Sequence, residues 1–221
     1  KRIIGRNIKY SIISNIIAIG LQFILLPFIV SHVGKEIYGA YLLVMTFTGY
    51  IGLLDLGVIS AVVKYVAEFT GEGNKEKVNK IISASLSFYA VIGVVISVIL
   101  FISSFYFNTI FPVEASNERV VQELLWVTAL ASIFIWPSRV FEGVLRGLQR
   151  YDLRANINIF TKVATAVSAY IIFKSGYGMV HFLTASYLLI IIGNIASYKL
   201  VHPYLRHHKI IFPYFNREVF R

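Results

Sequence analysis

Cysteine is absent from the sequence, which excludes a disulfide framework and any metal site built on thiolates. Charge is scarce as well. Asp, Glu, Lys and Arg make up 14% of the 221 residues, against about a quarter in an ordinary soluble domain. With 57% of residues hydrophobic and a mean hydropathy of +0.71, too little polar surface remains to clothe a water-soluble globule of this size. The short patterns of common active sites are missing too. There is no HExxH, no GxSxG, no GxxxxGK phosphate loop and no paired-carboxylate cluster, so neither enzymatic chemistry nor a bound cofactor is expected. The histidines are scattered (His32 in a turn, His181 in an apolar run, His202, His207 and His208 in a basic tail), and no metal is expected of them. The net charge of +10 does not indicate a nucleic-acid partner. A nucleic-acid domain gathers its cations on one soluble face, whereas here they sit in short connections between apolar runs.

Those runs are what the sequence has in abundance. Six can be read, at 10–31, 38–63, 81–107, 124–145, 157–173 and 179–198. Most approach or exceed the ~20 apolar residues that a helix needs to cross a bilayer. The first is long enough to span, so it is not a signal peptide. Continuous runs also differ from the alternating ~10-residue segments of an outer-membrane barrel. The fold class that follows is an all-α membrane protein, a six-transmembrane-helix bundle. Residues 1–9 read as an N-terminal segment, 10–201 as the six-helix lobe and 202–221 as a basic linker. Alternate connections fall on one side of the membrane, and that side carries 16 of the Lys and Arg residues against three on the other. The positive-inside rule then places both termini in the cytoplasm of a multi-pass cell-membrane protein.

Polar residues inside the runs are the candidate functional groups. Between Glu36 and Lys64 the one charge is Asp55; Arg139 and Glu142 interrupt the fourth run and Lys162 the fifth. Counted from the basic side, Asp55, Arg139 and Lys162 lie about 13, 10 and 12 Å deep at helical rise. Ionisable groups at such depth are tolerated when paired or wet, so the three are expected to converge on one cavity. Arg139, Glu142 and Arg146 share a helical face at i, i+3 and i+7, a spacing that suits ion pairing. Asn158, Thr161, Lys162 and Thr165 share a face of the fifth run, and Ser11, Asn15 and Gln22 one of the first. Each stripe reads equally as interhelical hydrogen bonding, and Asp55 equally as a packing carboxylate.

Four segments together carry a resemblance: GKEIYGAY at 34–41, YIGLLDLG at 50–57, KYVAE at 64–68 and EGVLRGLQRY at 142–151. In their order and spacing the chain resembles the amino-terminal half of the polysaccharide-biosynthesis (O-antigen-type) flippases of the multidrug/oligosaccharidyl-lipid/polysaccharide exporter superfamily. That resemblance implies one six-helix lobe of a two-lobe transporter, with a second lobe as its partner. It also implies export of a lipid-linked (undecaprenyl-pyrophosphate-type) oligosaccharide from the cytoplasmic to the outer leaflet by alternating access. Arg139, Lys162 and Arg146 would hold the pyrophosphate, with Asn15 and Gln22 as further substrate contacts. Asp55 and Glu142 would be counter-ions or coupling carboxylates. Two other readings stand beside it: a multidrug or cation antiporter of the same superfamily, which needs carboxylates facing the cavity, and a non-transporting membrane scaffold, which needs no cavity.

Overall fold

The computed structural model describes residues 2–111 and 114–202, and among these every regular element is helical. The expected linker falls, from residue 203 on, outside the described residues. The α-helices are α1 (Arg2–Ile51), α2 (Val58–Gly71), α3 (Lys75–Ile110), α4 (Glu118–Gly147), α5 (Tyr151–Lys174) and α6 (Met179–Val201). Among the described residues five stretches are long and apolar enough to cross a membrane: Ile12–Ile51, Lys75–Phe107, Glu118–Gly147, Tyr151–Lys174 and Met179–Val201. The backbone is helical from Arg2 into the first run.

α1 holds the first apolar run and half of the second. It is interrupted at Gly34, whose φ of 82° and ψ of 162° are open essentially to glycine alone. The contacts show that the chain reverses there. Before Gly34, Ser14 meets Asn158 and Phe28 stacks on Tyr170 at 5.7 Å, so this part runs parallel to α5. After it, Phe47 packs on Phe107 and Asp55 meets Tyr89, so the second part runs antiparallel to α3. α3 and α4 are antiparallel by the contacts Tyr89–Trp136 and Phe101–Trp126. α6 runs parallel to α4, with Tyr187 on Thr128 and Asn194 on Ser138, and antiparallel to α5, with Phe182 on Phe173. The segments therefore alternate in direction, as short connections require.

One expectation is corrected. The second run, read as an uninterrupted span over 38–63, is broken in its middle. α1 stops at Ile51, a 3-10 turn covers Gly52–Asp55, and Leu56 and Gly57 take φ of 49° and 77° before α2 begins at Val58. Non-helical backbone at membrane depth is stable only where protein or a wet cavity covers it. Here Tyr89 of α3, itself fully buried, covers the break on the side of Asp55, while Leu56 and Gly57 stay exposed.

α4 is the hub of the packing. Its buried side chains include Leu124, Leu125, Val140, Val144 and Leu145, and α2, α3 and α6 all lie against it. Lipid tails give no hydrophobic drive to bring helices together, so small residues that allow close approach do much of the holding. α3 turns Ser83, Ala84, Ser85 and Ser87 inward. A Cβ on Gly147 would sit 2.8 Å from the Val66 side chain, so glycine lets α2 and α4 touch backbone to side chain. Outward, Phe23, Phe160 and Leu130 are largely exposed, as expected of side chains that face acyl chains.

Candidate functional site

A cavity of about 430 Å³ lies between the second part of α1, α4, α5 and α6. α5 contributes Arg154, Ile157, Asn158, Thr161, Lys162 and Thr165; the spacing matches one helical face. α6 lines it from Phe182 to Ser197, about 22 Å at helical rise, so the cavity is elongated along the bundle. Its chemistry changes along that length. Glu142, Arg154 and Ser197 stand at one end. Asn158, Thr161, Lys162 and Asn194 occupy the middle, and Tyr41, Phe182, Tyr187 and Thr165 the other end. Part of the polar wall is already committed. Asn158 donates to Ser14 Oγ at 2.9 Å, Asn194 to Ser138 Oγ at 2.7 Å and Tyr187 to Thr128 Oγ1 at 3.2 Å. Lys162 is exposed in the cavity and has no ion pair among the described residues.

At the charged end one carboxylate holds two helices. Glu142 Oε1 accepts from Arg146 Nη2 of its own helix at 2.8 Å and from the Arg154 guanidinium of α5. All three side chains are about two-thirds buried, with 33%, 31% and 33% exposure for Arg146, Glu142 and Arg154. The connection between α4 and α5 is set by Gln149, at φ 57°, and by a fork in which Arg150 Nε and Nη2 donate to Asp152 at 3.0 and 3.1 Å. The i, i+3, i+7 stripe read on α4 thus delivers an ion pair from Glu142 and Arg146. Its third member goes elsewhere.

Arg139 lies over the Trp136 ring, 4.8 Å from its centroid, in a cation–π contact. Trp136 in turn packs on Tyr89, with ring centroids 6.0 Å apart, and the Tyr89 hydroxyl donates to Asp55 Oδ1 at 2.5 Å. A relay of contacts, Asp55–Tyr89–Trp136–Arg139, therefore ties the broken helix to α3 and α4. Among the described residues no ion pair reaches Asp55. Of the three charges expected in one cavity, only Lys162 lines the one described; Asp55 and Arg139 meet at Tyr89 and Trp136 instead.

Asn15 and Gln22 are exposed, on a face of α1 shared with Phe23 and Ile16. The inward face is one residue away: Ser14 is buried and takes the bond from Asn158. Arg154 and Tyr89 were not among the candidate residues. Arg154 carried a signal, since 154, 158, 161/162 and 165 continue the stripe of α5 by one turn. For Tyr89, one of two tyrosines in the third run, no sequence signal existed. No group of three or more His, Asp or Glu able to hold a metal occurs among the described residues.

Long apolar helices packed around a polar-lined compartment define a multi-pass membrane protein. Residues 11–171 match the family described as MatE. The chain belongs to the MatE family, membrane transporters of the multidrug/oligosaccharidyl-lipid/polysaccharide exporter superfamily. No curated protein and no solved structure matches it.

Proposed function

We propose that the protein exports a lipid-linked oligosaccharide whose diphosphate and first sugars pass through the cavity between α1, α4, α5 and α6. The observation that carries this reading is Lys162, a cation facing the cavity without a counter-ion among the described residues, on a wall of amides and hydroxyls. Such a wall suits sugar hydroxyls, and an unpaired cation suits phosphate. A cationic drug would need a free carboxylate. Glu142 is the one carboxylate in the lining described, and two guanidiniums already hold it. An inert scaffold has no use for a cavity of this size. Asn15, Gln22 and Arg139 do not line it, whereas Lys162 and Arg154 do, so we assign the headgroup to Lys162 and to Arg154, with Arg146 joined to Arg154 through Glu142.

By the family resemblance this chain is one lobe of a two-lobe transporter, so the test uses the protein with and without a second lobe. A fluorescent polyprenyl-diphosphate oligosaccharide is placed in liposomes, and its transfer between leaflets is followed by a membrane-impermeant quencher. Faster transfer by the two-lobe protein is expected, with little by the lone lobe. Expulsion of a cationic dye with no effect on the lipid-linked sugar would point to the antiporter reading instead. For sidedness we propose a cytoplasmic basic end, from the excess of Lys and Arg there. Cysteines introduced at Lys174 and Asn117 are expected to react with an impermeant thiol reagent added outside, and one at Asn74 only after permeabilisation. The opposite pattern would invert the orientation.

A further inference from the structure

We propose that Arg146 and Arg154 form a diphosphate subsite at the charged end of the cavity, and that Glu142 is its resident counter-anion, displaced when a diphosphate binds. The ligand class rests on the export reading above; the displaceable carboxylate does not follow from it. Two guanidiniums bring three donor nitrogens to a single oxygen: Arg146 Nη2, Arg154 Nε and Arg154 Nη2 all reach Glu142 Oε1, and no bond from a described residue reaches Oε2. Arg146 Nε is buried with no acceptor among the described residues. A guanidinium offers five donors in a fixed fork and binds best to two oxygens at once. One carboxylate oxygen shared by two forks leaves most of that capacity unused. A diphosphate carries enough separated oxygens to give each fork two acceptors, including one for the orphaned Nε.

Charge points the same way. Arg154 and Lys162 line the cavity and Arg146 adjoins it through Glu142, so three cations stand against the single lining carboxylate. The surplus fits an incoming anion of more than one charge. Lys162 is eight residues beyond Arg154 on the same face, about 12 Å further in, too far to share one diphosphate with the pair. The arginine pair is therefore an entry station, and Lys162 the next. Exposure of about a third for each of the three side chains leaves room to exchange one anion for the other. Because Arg154 belongs to α5 and Glu142 to α4, displacing Glu142 also releases the ionic tie between these helices.

The experiment measures binding of inorganic pyrophosphate to the protein in nanodiscs of zwitterionic lipid, by calorimetry at constant ionic strength. Glu142→Gln removes the competing charge and is expected to tighten binding on the order of tenfold, or about 1.4 kcal/mol. Arg154→Gln is expected to weaken it by a similar factor. Inorganic phosphate, with fewer oxygens, should bind more weakly than pyrophosphate to both the wild type and Glu142→Gln. Glu142→Asp shortens the reach to Arg154 while keeping the charge, and is expected to tighten binding by an intermediate factor; it serves should Glu142→Gln fail to fold. Pyrophosphate binding that is unchanged or weakened in either variant would make Glu142 a fixed clamp and overturn the proposal, with the export reading intact. Absence of pyrophosphate binding in the wild type and in both variants would overturn the export reading as well.

Discussion

Replacing Lys162 by Glu is expected to abolish export while the protein still inserts and folds. Lys162 is exposed in the cavity, and no carboxylate among the described residues depends on it, so its removal orphans no partner. Its reversal does more than lose a contact. A carboxylate on the same wall would repel the diphosphate, and like charges brought together at a binding site cost several kcal/mol. That corresponds to a fall in transport on the order of a thousandfold. Lys162→Ala forfeits only the attraction and should lower transport on the order of tenfold. Lys162→Arg, which keeps the charge and adds a planar fork, should retain most of it. Leaflet transfer in liposomes reads the effect, and the amount of membrane-inserted protein reads folding. Normal transfer by Lys162→Glu would remove this residue from the path.

Tyr89→Phe is expected to destabilise the bundle more than its loss of one oxygen suggests. The Tyr89 side chain is fully buried, and its hydroxyl is the donor to Asp55 at the broken segment. Without it the half-buried carboxylate stays at the break with no side-chain donor among the described residues. Losing a hydrogen bond to a charged group costs about 1.5–3 kcal/mol. Asp55→Asn keeps an acceptor facing the hydroxyl and should cost less. If the bond is the main role of both side chains, the double variant should be little worse than Tyr89→Phe alone, since residues in direct contact are not additive. The unfolding midpoint in detergent micelles measures all three. A Tyr89→Phe protein that unfolds at the wild-type midpoint would mean that the break is held by backbone and packing alone.

Much of the architecture is legible in the sequence because bilayer thickness and helical rise leave few choices. Long apolar runs between short basic connections can only be membrane helices, and the helical stripe on the fifth run became one wall of the cavity. By the same spacing Arg154 belongs to that stripe, although it lies outside the apolar run. Glycine stands at 52 and 57 of the second run. It did not reveal that the helix breaks there, since glycines at close helix contacts, such as Gly147 against Val66, look the same in sequence.

What the sequence determined by itself is depth: how far along each helix Asp55, Arg139 and Lys162 lie follows from counting residues at a fixed rise. What only the tertiary structure decided is direction around the bundle. Each residue turns a helix by about 100°, so the difference between Ser14, buried against Asn158, and Asn15, exposed beside it, is a single position. Which azimuth faces which neighbour depends on the order in which the helices pack, and that order is set by close contacts between residues far apart in the chain. Three charges at one depth were therefore parted, Asp55 and Arg139 to Tyr89 and Trp136, Lys162 to the cavity. Periodicity fixes the height of a side chain in the membrane, and packing chooses its company.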